Sequence, residues 1–125
     1  KRRRNMTAKK IIQDFYKSDA FINVVAMESF LHPDFLLEWH SSLGFRKLNK
    51  HEVLDLTKEM GASYVRTKVR IHSLIQDKNQ LAVRYTHYVK TIENPREEML
   101  LAHFFVIWEL QDAKLYRCYQ MSQLS

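Results

Sequence analysis

Most of the second half of the chain reads as extended sequence whose apolar side chains fall on both alternating faces. The two stretches are KVRIHSLIQDKNQLAVRYTHYVKTI and EEMLLAHFFVIWELQDAKLYRCYQMS, each with a turn signal inside it: Asp77-Lys78-Asn79-Gln80 in the first and Gln111-Asp112-Ala113-Lys114 in the second. Within MLLAHFFVIWEL, Leu101, Phe105 and Ile107 fall on one face and Ala102, Phe104, Val106, Trp108 and Leu110 on the other. One face of such a sheet covers helices, and the other is too apolar to stay wet, so the pattern predicts an α+β fold and self-association through the sheet. Upstream, Arg66, Lys68, Arg70 and His72 alternate with Val65, Thr67, Val69 and Ile71, the signature of a strand with one solvated face.

The first half follows a helical period. Thr7 is placed as an N-cap, and Ile11, Ile12, Phe15 and Tyr16 recur behind it, predicting a helix over residues 7–18. Ser18-Asp19 is a second cap site, and Phe21, Val24, Val25, Met27 and Leu31 continue the pattern until His32-Pro33 ends it. Phe35 to His40 reads as a short strand and the region around Gly44 as a loop. A third helix is capped by Asn49, buries Val53, Leu54, Leu56 and Met60, and stops at Gly61.

Hairpin symmetry then predicts contacts. A turn centred on residues 77–80 sets Arg70 against His87 and His72 against Tyr85. A turn at Asn94-Pro95-Arg96 sets His87 opposite His103, with Cβ atoms ~4.5–5.5 Å apart on one face. The last turn pairs Leu110 with Leu115.

A chain of 125 residues holds one real core, so residues 7–125 form a single domain. Residues 1–6 read as a basic arm, either a flexible native extension or a cloning remnant. Of the net charge of +6, Lys1, Arg2, Arg3 and Arg4 supply four, leaving +2, and this argues against nucleic acid as a partner of the folded domain. Cys118, the sole cysteine, lies in an apolar strand, which excludes an internal disulfide and suggests a reduced, cytoplasmic setting. No apolar run reaches the ~18 residues of a membrane span.

The order of these elements resembles the nuclear transport factor 2-like superfamily and its SnoaL-like group. The likeness is carried by FYKSDAFINVVAMESFLHPDFLLEW near the start and FFVIWELQDAKLYRCYQMS near the end, where many relatives have a phenylalanine-rich strand and an Asp-Gly-Lys-Ile turn; here the turn is Asp112-Ala113-Lys114-Leu115. The resemblance implies a cone-shaped fold: N-terminal helices packed on a strongly curved antiparallel sheet, a pocket at the open end and a dimer through the sheet's other face. It includes enzymes such as ketosteroid isomerase and polyketide cyclases, and non-catalytic members. The isomerase's tyrosine falls on or beside Phe15, with Tyr16 next to it, and its two aspartates fall near Trp39 and Val106. The cyclases' aspartate falls at Gln120 to Gln123, where there is no acid. Neither chemistry keeps its groups.

The candidate pocket residues are therefore read from side-chain chemistry. His87 and His103, helped by Tyr85, are the candidate acid/base groups, because facing imidazoles titrate near neutrality; their protonation should change ligand affinity between about pH 5.5 and 7.5. Trp39, His40, Tyr16 and Trp108 are the candidate ligand-binding residues. A metal site would need His72 as a third ligand, with no carboxylate beside it, so none is assigned, and no cofactor is implied. Ser41 and Ser42 follow His40 directly and alternate in direction, which does not make a nucleophile-base pair. The favoured function is binding of a small apolar or aromatic ligand with a polar end. Proton-transfer catalysis by His87 and His103 and a protein-interaction module are the alternatives.

Overall fold

The computed structural model describes residues 7–124; the basic run at residues 1–6 lies outside them. Helix α1, Ala8–Lys17, starts where Thr7 Oγ1 accepts from the Lys10 amide at 3.2 Å, and it buries the single stripe Ile11, Ile12, Phe15 and Tyr16. The next helical segment is divided. A 3-10 turn at Ala20–Ile22 precedes Asn23, whose extended backbone and side chain, accepting from the Ala26 amide at 3.1 Å, begin α2, Val24–Phe30. The Ser18-Asp19 cap expected for a single helix therefore serves only the 3-10 turn, because Asn23 offers the backbone a better start.

Strand β1, Leu31–Ser41, is longer than its apolar core suggested. It runs through Pro33, which is tolerated because the pairing is irregular between Leu31 and Leu36 and needs no amide there. A tight turn at Ser42-Leu43 leads into β2, Gly44–Asn49, in place of the expected loop. Gly44 takes a φ of 112°, open to glycine and strained for other residues.

Helix α3, Lys50–Ser63, opens on a capping box in which Asn49 and Glu52 each accept the other's amide. Gly61 does not end it. A Cβ there would meet the Ile22 carbonyl oxygen at 2.7 Å, so the glycine is where α3 approaches the 3-10 turn most closely. The long strands follow as β3 Tyr64–Asp77, β4 Gln80–Thr91, β5 Met99–Gln111 and β6 Lys114–Leu124. In the last turn Asp112 and Ala113 both have positive φ, and the alanine costs about 1–2 kcal/mol relative to a relaxed backbone.

These strands make one sheet in the order β2-β1-β6-β5-β4-β3. Its pairings are antiparallel except that β1 lies parallel to β6, a correction to a wholly antiparallel sheet; α3 carries the chain from β2 at one edge to β3 at the other, and the meander that follows ends with β6 beside β1. The helices cover one face. There Trp108, Phe104, Val106 and Leu110 of β5 meet Ile12, Phe15, Met27 and Val53 in one apolar core. Phe105 and Ile107 lie on the other face and are exposed.

Bulges alter the predicted register. β3 gains a residue at His72, so Val69 rather than Arg70 faces His87, and Ile71 faces Tyr85. In β4 and β5, His87 faces Ala102 and His103 faces Thr86, with a further shift between His87 and Tyr88.

Candidate functional site

The inner face of the sheet is built in tiers, since every second residue of each strand points the same way. Leu37, Cys118 and Trp108 are in register across β1, β6 and β5; Trp39, Gln120 and Val106 follow one step along. Ser122, Phe104 and Tyr85 form the next tier, and Leu124, Ala102 and His87 the last. Opposite them stand Phe15 of α1, Phe21 of the 3-10 turn, Met27 of α2 and Val53, Leu56, Thr57 and Met60 of α3. Together these residues, Val106 excepted, line a cavity of about 240 Å³, which also reaches Ser41, Ser42, Leu43 and Arg46 at the β1–β2 end.

Aromatic packing makes one wall. Phe15 has Tyr16, Phe21, Phe30 and Trp108 around it with ring centroids 5.1–5.5 Å apart. Behind the cavity surface Trp108 Nε1 donates to the Tyr16 hydroxyl at 2.8 Å, and Tyr16 packs on Tyr85 at 4.6 Å, with Tyr85 stacked on Phe104 at 4.8 Å. Burial raises the pKa of both phenols and of the Cys118 thiol well above their ordinary values, so all three stay protonated. Cys118 is thus a buried core thiol.

His87 is the polar centre of this wall. It is 2 % exposed, has the Phe21 ring 4.7 Å away, and bonds through Nε2 to the Thr67 hydroxyl. Burial lowers its pKa to about 4, so the imidazole is neutral at neutral pH. Its other ring nitrogen, Nδ1, has no hydrogen-bond partner among the described residues, although the ring lines the cavity. The other buried polar group here is satisfied: Thr57 Oγ1 donates to the Val53 carbonyl at 2.9 Å. Nearer the mouth, Trp39 Nε1 donates to Ser122 Oγ at 2.8 Å.

The structure thus brings Trp39, Tyr85, His87 and Trp108 together around the cavity and places Tyr16 directly behind them. Two candidates lie elsewhere. His103 is exposed on the outer face, where its Nδ1 and His72 Nε2 share the Thr86 hydroxyl at 3.1 and 2.8 Å. It does not face His87, because the β4–β5 loop is asymmetric about Pro95 and the one-residue offset turns it outward. His40 is also outside, packed on Phe45 at 4.6 Å and lining a hollow of the outer face. A two-histidine proton relay is therefore not assembled in the cavity, and the expected response to pH 5.5–7.5 does not apply to His87. No group of three His, Cys, Asp or Glu side chains suited to a metal occurs among the described residues. No described helix is long and apolar enough to cross a membrane.

Sequence reasoning missed Arg46, Gln120, Ser122 and Thr67. For Arg46 the strand period carried no signal, because in Phe45-Arg46-Lys47-Leu48 the two apolar residues fall on opposite faces.

No protein-family model matches the sequence, and no curated protein matches it. Solved structures do. A nuclear transport factor 2-like protein of unknown function from Cytophaga hutchinsonii superposes with a TM-score of 0.66 at 13% identity, over 97% of this chain and 94% of that one. A hypothetical protein with a ketosteroid isomerase-like fold from Catenulispora acidiphila, in complex with trimethylamine, gives 0.69 at 9% identity over 91% and 85%. An LEH-like epoxide hydrolase of M. tuberculosis gives 0.69 at 13% identity over 92% and 81%. At these identities the likeness is one of architecture: helices packed on a six-stranded curved sheet give this chain the nuclear transport factor 2-like fold.

Proposed function

We propose that the chain is a small-molecule-binding domain of the SnoaL-like type, whose ligand has an apolar or aromatic body and a carbonyl or hydroxyl group directed at His87. The observation that carries this reading is the buried, neutral imidazole with Nδ1 unpartnered on the wall of an otherwise aromatic cavity. A buried polar atom without a partner costs about 1–3 kcal/mol, and a ligand atom that bonds to it recovers that cost. The cavity also counts against a pure protein-interaction module, whose interior its own side chains would fill. The enzyme alternative keeps His87 as a single proton acceptor, with the protonated Tyr85 as a neighbouring donor and no carboxylate among the lining residues.

A bicyclic aromatic ketone, 2-acetonaphthone, is a suitable probe, followed by calorimetry. Its affinity should fall roughly 5- to 100-fold in His87→Ala, the range that the loss of one buried hydrogen bond allows. Ala102→Phe, which fills the cavity beside His87, should abolish binding while far-UV circular dichroism is retained. Binding should be unchanged from pH 7.5 to 5.5, because His87 stays neutral across that range. An Ala102→Phe variant that still binds the ketone would show that the ligand sits elsewhere.

The same reading includes a homodimer through the outer face. Phe105 is 63% exposed there, beside Ile107, Met121 and Ile75, a patch that a monomer would leave in water. Sedimentation at micromolar concentration should give twice the 15.0 kDa chain mass, and Phe105→Asp should shift it to the monomer. A wild-type monomer sinks this part of the proposal and leaves the cavity reading in place.

A further inference from the structure

We propose that the ligand is a monocarboxylic acid and that Arg46 binds its carboxylate at the cavity mouth, an inference that rests on the small-molecule reading above. Arg46 is the sole charged residue among those lining the cavity. It comes from the edge strand β2, directly across from Trp39 in the β1–β2 register, so both side chains take the inward face that Leu37 and Leu48 fill one step away. An inward position on a strand ordinarily carries an apolar residue. Here it carries a cation.

The guanidinium is held rather than free. Its central carbon lies 5.6 Å from the Trp39 ring centroid, a cation–π contact, and the indole is fixed in turn by its bond to Ser122. Yet the planar fork is unspent: among the described residues no carboxylate lies within 4.0 Å of it, and no hydrogen bond from it is formed. Stacking on an aromatic leaves the guanidinium edge, with its paired N–H donors, available to a carboxylate. Ser42 lines the same end of the cavity and supplies a further hydroxyl donor, while the Ser41 hydroxyl already donates to the Gly44 carbonyl oxygen at 3.5 Å.

The charge count selects the class of anion. One guanidinium balances one negative charge, and no second cation lines the cavity to meet a phosphate dianion. The aromatic walls of Phe15, Phe35, Phe104 and Trp108 accept an apolar body, so the matching ligand is an aryl or alkyl carboxylic acid with its acid group toward solvent. A mouth site spares the cation full desolvation, whereas the same pair buried beside His87 would have to repay it.

The test compares two probes of the same skeleton by calorimetry, 2-naphthoate and 2-acetonaphthone, which differ in a carboxylate oxygen against a methyl group. Wild type should bind the carboxylate about tenfold tighter, the preference should shrink as salt rises, and the ketone should be salt-insensitive. Arg46→Met should remove the preference while leaving ketone affinity within about twofold, and Arg46→Lys should retain part of it. Equal binding of both probes by wild type, or an Arg46→Met variant that weakens both alike, overturns the carboxylate assignment and leaves the cavity reading intact. Binding of neither probe overturns both.

Discussion

Trp108→Ala is expected to lower the stability of the domain by about 3–5 kcal/mol, the usual loss for a large aromatic removed from a core. The residue is buried and packs against Phe15, Phe35 and Tyr16, with ring centroids 5.5, 6.3 and 6.3 Å away. Its indole also donates to the Tyr16 hydroxyl across 92 residues of sequence, joining β5 to α1. Truncation therefore opens a void at the junction of sheet and helix and leaves a buried phenol short of a donor. For a domain whose total stability is about 5–15 kcal/mol, such a loss brings much of the population near unfolding. Trp108→Phe separates the two effects, since it keeps most of the packing and removes the N–H; it should cost about 1–3 kcal/mol. Urea unfolding measures both. A loss under about 1 kcal/mol in the alanine variant would mean that the helical layer is not anchored at this residue.

Acidification should destabilise the protein through His87. In the unfolded chain a histidine titrates near 6.5, whereas burial holds the folded value at about 4. Below the first value the unfolded chain takes up a proton that the folded protein refuses, so stability is full above about pH 6.5 and falls as pH drops toward 4. The slope approaches 1.36 kcal/mol per pH unit and the whole effect is about 3 kcal/mol. His87→Gln keeps a polar side chain beside Thr67 and does not titrate, so its unfolding free energy should fall less steeply between pH 6.5 and 4.5, by close to one proton. Parallel slopes for the two proteins would show that water reaches His87 and that it is not held neutral.

The two predictions draw on different levels of information. Trp108 facing the core was readable from β5 alone, where Phe104, Val106, Trp108 and Leu110 alternate with Phe105 and Ile107. The burial of His87 was not. Its neighbours in the sheet depend on the extra residue in β3 at His72 and on the shift between His87 and Tyr88. The side-chain alternation on either side of a bulge is intact, so it carries no local mark of where the extra residue falls.

By itself the sequence determined what short-range physics can settle: the caps at Thr7 and Asn49, the apolar stripe of α1, the four long strands and the two faces of β5 from Ala102 to Leu110, whereas Leu101, expected beside Phe105 and Ile107, packs against the core and lines the cavity. Turn geometry, side-chain period and capping act within a few residues, so they leave a local trace. Only the tertiary structure decided that β1 enters parallel to β6, that His103 and His40 face outward, and that Arg46 enters the cavity mouth over Trp39. Those outcomes follow from how a sheet bends around helices. Strong curvature is relieved by bulges and irregular pairings, each of which moves one residue and reverses every face beyond it, and their positions are fixed by packing across the whole domain.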